Sequence, residues 1–166
     1  MVKKIGLFWL KDDFRLKRNI ALSEATNNHD QVVAFYLYKQ KDFESKKAQK
    51  WWIGRSLEEF RERLTELNIN LEIIKTDTYK VFFEKLFNEN NFSIYWNRTY
   101  EPSYLKFDEY LSKNFQKNNI HFKISKGNIL NEHQDVKKKD GTPFKVFTPF
   151  WRIAENFYLE KIPTKQ

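Results

Sequence analysis

Three short clusters hold the residues whose types and spacing could do chemistry. Lys11-Asp12-Asp13-Phe14-Arg15 follows the apolar run Ile5-Gly6-Leu7-Phe8-Trp9-Leu10 without a break. Gln49-Lys50-Trp51 stands at the head of a stretch with helical spacing. Asn97-Arg98-Thr99-Tyr100-Glu101 lies where another apolar run gives way to a proline. Mixed charges can fix the polar edge of a ring system, and a flat indole can cover its face. That is binding chemistry rather than bond-breaking chemistry. A plainer account covers the same residues. The first cluster can be a solvated loop capping the next helix. Glu101 suits a helix N-terminus by roughly 0.3–1 kcal/mol, and Trp52 and Leu57 suit the packing face of an amphipathic helix.

Composition narrows the choices. The chain has 166 residues, enough for one domain with a proper core. Hydrophobic residues make up 40% and aromatics 17%, which argues against disorder despite 31% charged residues. With no cysteine, disulfides, thiolate metal sites and cysteine nucleophiles are excluded. His29, His121 and His133 are too scattered for a metal motif and read as ordinary loop or surface residues. The four glycines, at 6, 54, 127 and 141, make no phosphate loop, and no Ser-His-Asp spacing is present. The N-terminal apolar run is too short for a signal-peptide core or a membrane span, so a cytoplasmic location is expected. The net charge of +8 favours anionic partners.

The elements that must position the clusters alternate. Ile5 to Leu10 has no polar alternation and reads as a strand buried on both faces. Asn19 to Asn27 reads as a short helix and Gln31 to Tyr38 as a second strand. A polar loop leads to a helix over Ala48 to Leu67, with Trp52, Leu57, Phe60, Leu64 and Leu67 on one face. Asn70 to Lys75 is a third strand. Asp77 or Thr78 caps a helix to about Asn88. Phe92 to Trp96 is a fourth strand, Glu101 to Phe115 a helix with Pro102 in its first turn, and Ile120 to Ser125 a fifth strand. This is the order of a doubly wound, five-stranded parallel sheet with helices on both faces, an α/β Rossmann-like fold. In such sheets ligands gather at the carboxyl ends of the strands, where the first and third clusters fall. From about Lys126 the pattern changes: a charged run, a Gly-Thr-Pro turn, and a helix begun near Thr148 with Pro149 in its first turn. The expected division is 1–130 and 131–166.

The sequence resembles the DNA photolyase/cryptochrome family. FWLKDDFRLKRNIAL is similar to its opening signature, with Trp9, Asp13, Arg15, Asn19, Ala21 and Leu22 matching. Lys11 stands where the family has an arginine, and Arg18 where it has an aspartate. Trp52, Ile53, Ser56 and Leu57 fit a second family segment. Asn97, Arg98, Tyr100, Glu101 and Pro102 match a third, although Tyr104 replaces a carboxylate used by some folate-binding relatives. DGTPFKVFTPFWR, residues 140–152, is the most specific match, through Gly141, Pro143 and Val146 to Trp151.

The resemblance covers about residues 4 to 156 and implies the family's N-terminal α/β domain alone. That domain holds a light-harvesting antenna, a folate or a deazaflavin or flavin, and passes excitation to FAD. The FAD and lesion pockets belong to a C-terminal helical domain outside the resemblance. The implied role is thus the antenna domain of a protein that repairs pyrimidine dimers in DNA with light, with no catalytic residue in this stretch and no FAD expected on it. Damaged DNA and the FAD domain are the implied partners. The antenna contacts expected are Lys11, Asp13, Arg15, Gln49, Trp51 and Glu101. The five tryptophans are read as packing or stacking residues. Val146 to Trp151, with Ile153, Phe157 and Tyr158, is more apolar than one short helix can hide, which implies an exposed or self-associating surface. The other readings are a stand-alone nucleotide-binding α/β module and an inactive photolyase remnant.

Overall fold

A computed structural model describes residues 5–44, 46–89, 91–132 and 135–159, with side chains up to Asn156. His133 and the side chains of Phe157 and Tyr158 lie outside the described residues. The chain forms two compact units, 1–127 and 128–166.

The first unit is the doubly wound sheet. Its strands are β1 (Ile5–Leu10), β2 (Val32–Tyr38), β3 (Asn70–Lys75), β4 (Phe92–Asn97) and β5 (His121–Ser125). All pairings are parallel, in the order β3-β2-β1-β4-β5. The helices between them are α1 (Ile20–Asn28), α2 (Lys47–Thr65), α3 (Tyr79–Leu86) and α4 (Pro102–Lys117). The polar loop before α2 contains a 3-10 turn over Gln40–Phe43 that the sequence pattern did not reveal. The chain winds outward from β1 through β2 to β3, then crosses back to β4 and continues to β5. The direction of winding therefore reverses between β1 and β4.

Period-two alternation sorts the strand side chains onto two faces. Phe8, Leu10, Val32, Ala34 and Tyr95 pack with Ala21, Leu22 and Ala25 of α1 and Leu57, Phe60 and Leu64 of α2. Trp9, Phe35, Leu37, Ile94 and Trp96 pack with Phe83 of α3 and Leu111 and Phe115 of α4. β4, an inner strand covered on both sides, is buried along its whole length. The second face is aromatic: Phe83 lies 4.8 Å from Trp9, 5.8 Å from Phe107 and 6.1 Å from Phe115, centroid to centroid.

Local chemistry sets the helix ends. The Asn19 side chain accepts from Leu22 N at 3.1 Å and caps α1. Arg18, just before it, has φ 60°, a backbone region where a β-carbon is strained. Thr78, the second of the two expected caps, accepts from Val81 N at 3.2 Å and starts α3. Pro102 occupies the first turn of α4. Gly6 allows a close approach, since a β-carbon there would meet His29 Cδ2 at 2.9 Å.

Two expectations for α2 need correction. Leu57, Phe60 and Leu64 are buried as the spacing predicts, but Trp52 is 58% exposed and Leu67 is 53% exposed. Leu67 lies past the end of the helix, which closes at Thr65. Trp52 lies in the first turns of α2, and its ring meets Phe14 edge-on at 6.4 Å.

In the second unit, α5 (Phe147–Leu159) starts one residue before the expected Thr148. Phe147 stacks on Trp151 at 5.9 Å, and Val146, Phe147, Trp151 and Ile153 are exposed.

Candidate functional site

The reversal between β1 and β4 leaves a gap at their carboxyl ends, because the loop after β1 and the loop after β4 leave the sheet in different directions. Thr99 Oγ1 donates to Asp12 Oδ1 at 3.1 Å and ties the two loops together. The gap opens into a crevice of about 340 Å³. Its walls include Trp9, Phe14, Tyr36, Trp52, Tyr79 and Tyr104, and its polar lining includes Lys11, Asp12, Gln49, Thr99 and Glu101. A wider basin of about 640 Å³ shares Tyr36, Gln49, Tyr79, Glu101 and Tyr104 and adds Lys39, Lys41, Lys46 and Lys80.

Six aromatic rings around one small volume give it flat apolar surface in several orientations. Tyr79 stands edge-on to Trp9 at 6.0 Å and lies 6.4 Å from Tyr104. Lys39 sits over the Tyr79 ring at 5.0 Å. Burial, reinforced by Tyr104 and Asp42, raises the Tyr36 phenol to about 12. Burial raises the Tyr79 phenol further, helped by Tyr104. Both phenols are therefore neutral hydrogen-bonding groups at any physiological pH.

Lys11 is held from below. Its Nζ lies 3.2 Å from Asp108 Oδ1, 4.7 Å from the Trp9 ring and 5.3 Å from the Tyr104 ring. Trp96 Nε1 donates to the same Asp108 oxygen at 2.9 Å, and Asp108 Oδ2 is buried without a hydrogen-bond partner. Burial pushes the Asp108 carboxyl up and the Lys11 amine down, in each case against the pull of its partner.

Of the six residues expected from the sequence, Lys11, Gln49 and Glu101 line the crevice. Asp13, Arg15 and Trp51 do not line it. The Asp13 carboxylate is engaged elsewhere. It accepts from Arg15 Nε and Nη2 at 2.7 Å each and from Asn97 Nδ2 at 3.0 Å. Asn97 Nδ2 also donates to Asn19 Oδ1 at 2.8 Å, and its Oδ1 accepts from Ala21 N at 3.2 Å. This network locks the loop after β1 to β4 and to the start of α1, so Asp13 and Arg15 shape the rim from outside. Trp51 is displaced by helical geometry. Successive residues turn by about 100°, so Gln49, Trp52 and Ile53 share the crevice side while Trp51 does not.

The sequence reading did not place Tyr36, Tyr79 and Trp52 on the crevice wall or Asp108 beneath Lys11. For Asp108 a signal existed: it falls on the apolar stripe of α4 with Leu111 and Phe115, where a carboxylate needs a buried partner. Tyr36 and Tyr79 gave none, because tyrosines at strand ends and helix starts are ordinary.

The winding order, with a crevice at its reversal, defines a doubly wound α/β domain. The chain belongs to the DNA photolyase family, whose model matches residues 6–166. A deoxyribodipyrimidine photo-lyase of Agrobacterium fabrum is 26% identical over 149 residues, covering 90% of this chain and 31% of the relative. Cryptochrome-2 of Arabidopsis thaliana is 23% identical over 162 residues, covering 96% of this chain and 26% of its own. Among solved structures, a class III photolyase from Agrobacterium tumefaciens superimposes with a TM-score of 0.79 at 26% identity, over 93% of this chain and 32% of that one. A photolyase from Sulfolobus tokodaii shares the fold, with a TM-score of 0.68 at 22% identity over 98% of this chain and 36% of that one. The chain thus spans about a third of the length of the relatives it matches, and it corresponds to their N-terminal α/β domain.

Proposed function

We propose that this domain holds a light-harvesting chromophore in the crevice at the β1/β4 reversal and serves a light-driven DNA-repair protein. The observation that carries the reading is the crevice wall: six aromatic side chains around about 340 Å³, with Lys11, Gln49 and Glu101 at the polar edge. Such a site suits a planar heteroaromatic ring with polar substituents, a folate or a flavin or deazaflavin. The solved Sulfolobus tokodaii photolyase is described as holding two FAD molecules, with a novel light-harvesting cofactor implied. That description supports a flavin-type ligand here, as does Tyr104 in place of a folate-binding carboxylate. The chain's own residues bind and orient the ring: Trp52 and Tyr36 cover its faces, Lys11 donates to an acceptor on its edge, and Glu101 accepts from a ring N–H.

Excitation would pass to FAD on a helical domain, which in turn would repair pyrimidine dimers. The exposed Phe147 and Trp151 on α5 are the surface on which that domain would dock. Titration of the 166-residue chain with riboflavin 5′-phosphate and with a reduced folate, followed by ligand fluorescence, tests the site. Saturable binding of one of them, lost on Glu101→Ala combined with Tyr36→Ala, is the expected result. Binding of either ligand that both substitutions leave unchanged would place the chromophore elsewhere. Failure of both ligands to bind would remove the antenna reading.

A further inference from the structure

The side of α2 that carries Trp51 has a composition of its own. Lys47, Lys50, Trp51, Gly54, Arg55 and Glu58 line one shallow surface there. The spacing i, i+3, i+4, i+7, i+8 places Lys47 to Arg55 along one stripe of the helix. Trp51 is 67% exposed, the most exposed tryptophan among the described residues. Nothing lies within 4 Å of the place a β-carbon on Gly54 would occupy, so the indole has open space one turn further along. Arg55 pairs with Glu58 at 3.0 Å, while among the described residues no carboxylate pairs with Lys47 or Lys50. Residues 39–55 hold six cations against two carboxylates, so these 17 residues supply a net +4 of the chain's +8.

We propose that this face of α2 binds single-stranded nucleic acid, with a base stacked on Trp51 and the flanking phosphates on Lys47 and Lys50. An exposed aromatic platform beside cations is the arrangement that single strands use: stacking tolerates any base, and the cations follow the backbone. A duplex hides its base faces, so it could use the lysines but not the indole. A membrane surface needs a broad apolar stripe beside the basic one, and Trp51 is the only large apolar side chain on this surface. An acidic peptide would satisfy the lysines and leave the indole without a role. The site is separate from the crevice and does not depend on the chromophore reading.

The test is fluorescence polarisation of a labelled oligothymidylate on the 166-residue chain, with Trp51→Ala, Trp51→Phe and the pair Lys47→Glu, Lys50→Glu. All these side chains are exposed, so the variants should keep the circular dichroism of the parent. Trp51→Ala should weaken binding at least about five-fold and Trp51→Phe should restore most of it. The lysine pair should flatten the slope of log K against log salt by roughly 0.7 per lost phosphate contact. Three results would overturn the proposal: no binding at low salt, affinity indifferent to Trp51→Ala, or equal Trp51-dependent binding of polyglutamate or of phosphatidylserine vesicles.

Discussion

Lys11 Nζ lies 3.2 Å from Asp108 Oδ1, and each side chain is only 5% exposed. An ion pair this buried gives little net stability as a pair, but breaking it strands a charge. Lys11→Met should therefore cost about 3–5 kcal/mol. The double variant Lys11→Met, Asp108→Leu should recover most of that loss. Urea denaturation of the four proteins in the cycle measures it, and a double variant no more stable than Lys11→Met would mean that the pair does not act as a unit.

The same pair gives a pH dependence. Burial raises the Asp108 carboxyl above its ordinary 3.8. In the window between 3.8 and the raised value the folded state holds a proton that the unfolded state has released. Its contribution is thus fully present below that window and is lost as pH rises through it. Burial lowers the Lys11 amine below 10.5, so its contribution is present above 10.5 and is lost as pH falls through the lowered value. Stability measured against pH should fall on leaving the acid window for wild type relative to Asp108→Asn. Parallel curves would show that Asp108 is not titrating as a buried acid.

The crevice phenols should titrate late. Tyr36 is pushed up to about 12, and Tyr79 higher still, both mainly by burial. Phenolate absorbance near pH 10 should be the same for wild type, Tyr36→Phe and Tyr79→Phe. A loss of absorbance in that region in either variant would show a solvated phenol and a more open crevice.

The two aromatic populations should separate by stability. Phe83 is fully buried among Trp9, Phe107 and Phe115, so Phe83→Ala should cost about 3–5 kcal/mol. Trp52 is 58% exposed, so Trp52→Ala should change the unfolding free energy by less than about 1 kcal/mol. A large loss at Trp52 would make it a packing residue, as the sequence alone suggests.

The sheet was legible because its signals are local and redundant. Five apolar runs alternate with four amphipathic ones, and Thr78, Asn19 and Pro102 mark helix starts by their own chemistry. The crevice lining was half legible. Strand-end logic found Lys11 and Glu101, since they follow the apolar runs directly. It could not tell that Asp13 would turn away to Asn97, because that partnership spans 84 residues of sequence. Telling which of Trp51 and Trp52 faces the crevice required the phase of α2 to within one residue, and two adjacent indoles at a helix start leave that phase unmarked.

The chromophore site proposed above is the crevice between the ends of β1 and β4. Its most direct test is the affinity of Trp52→Ala and Trp51→Ala for the flavin or folate that the parent chain binds. Trp52 lines the crevice and Trp51 does not. Trp52→Ala should lose roughly 3- to 10-fold, the size of one ring contact, and Trp51→Ala should keep the parent's affinity. A loss at Trp51 with Trp52 indifferent would contradict it and move the ligand to the outer face of α2.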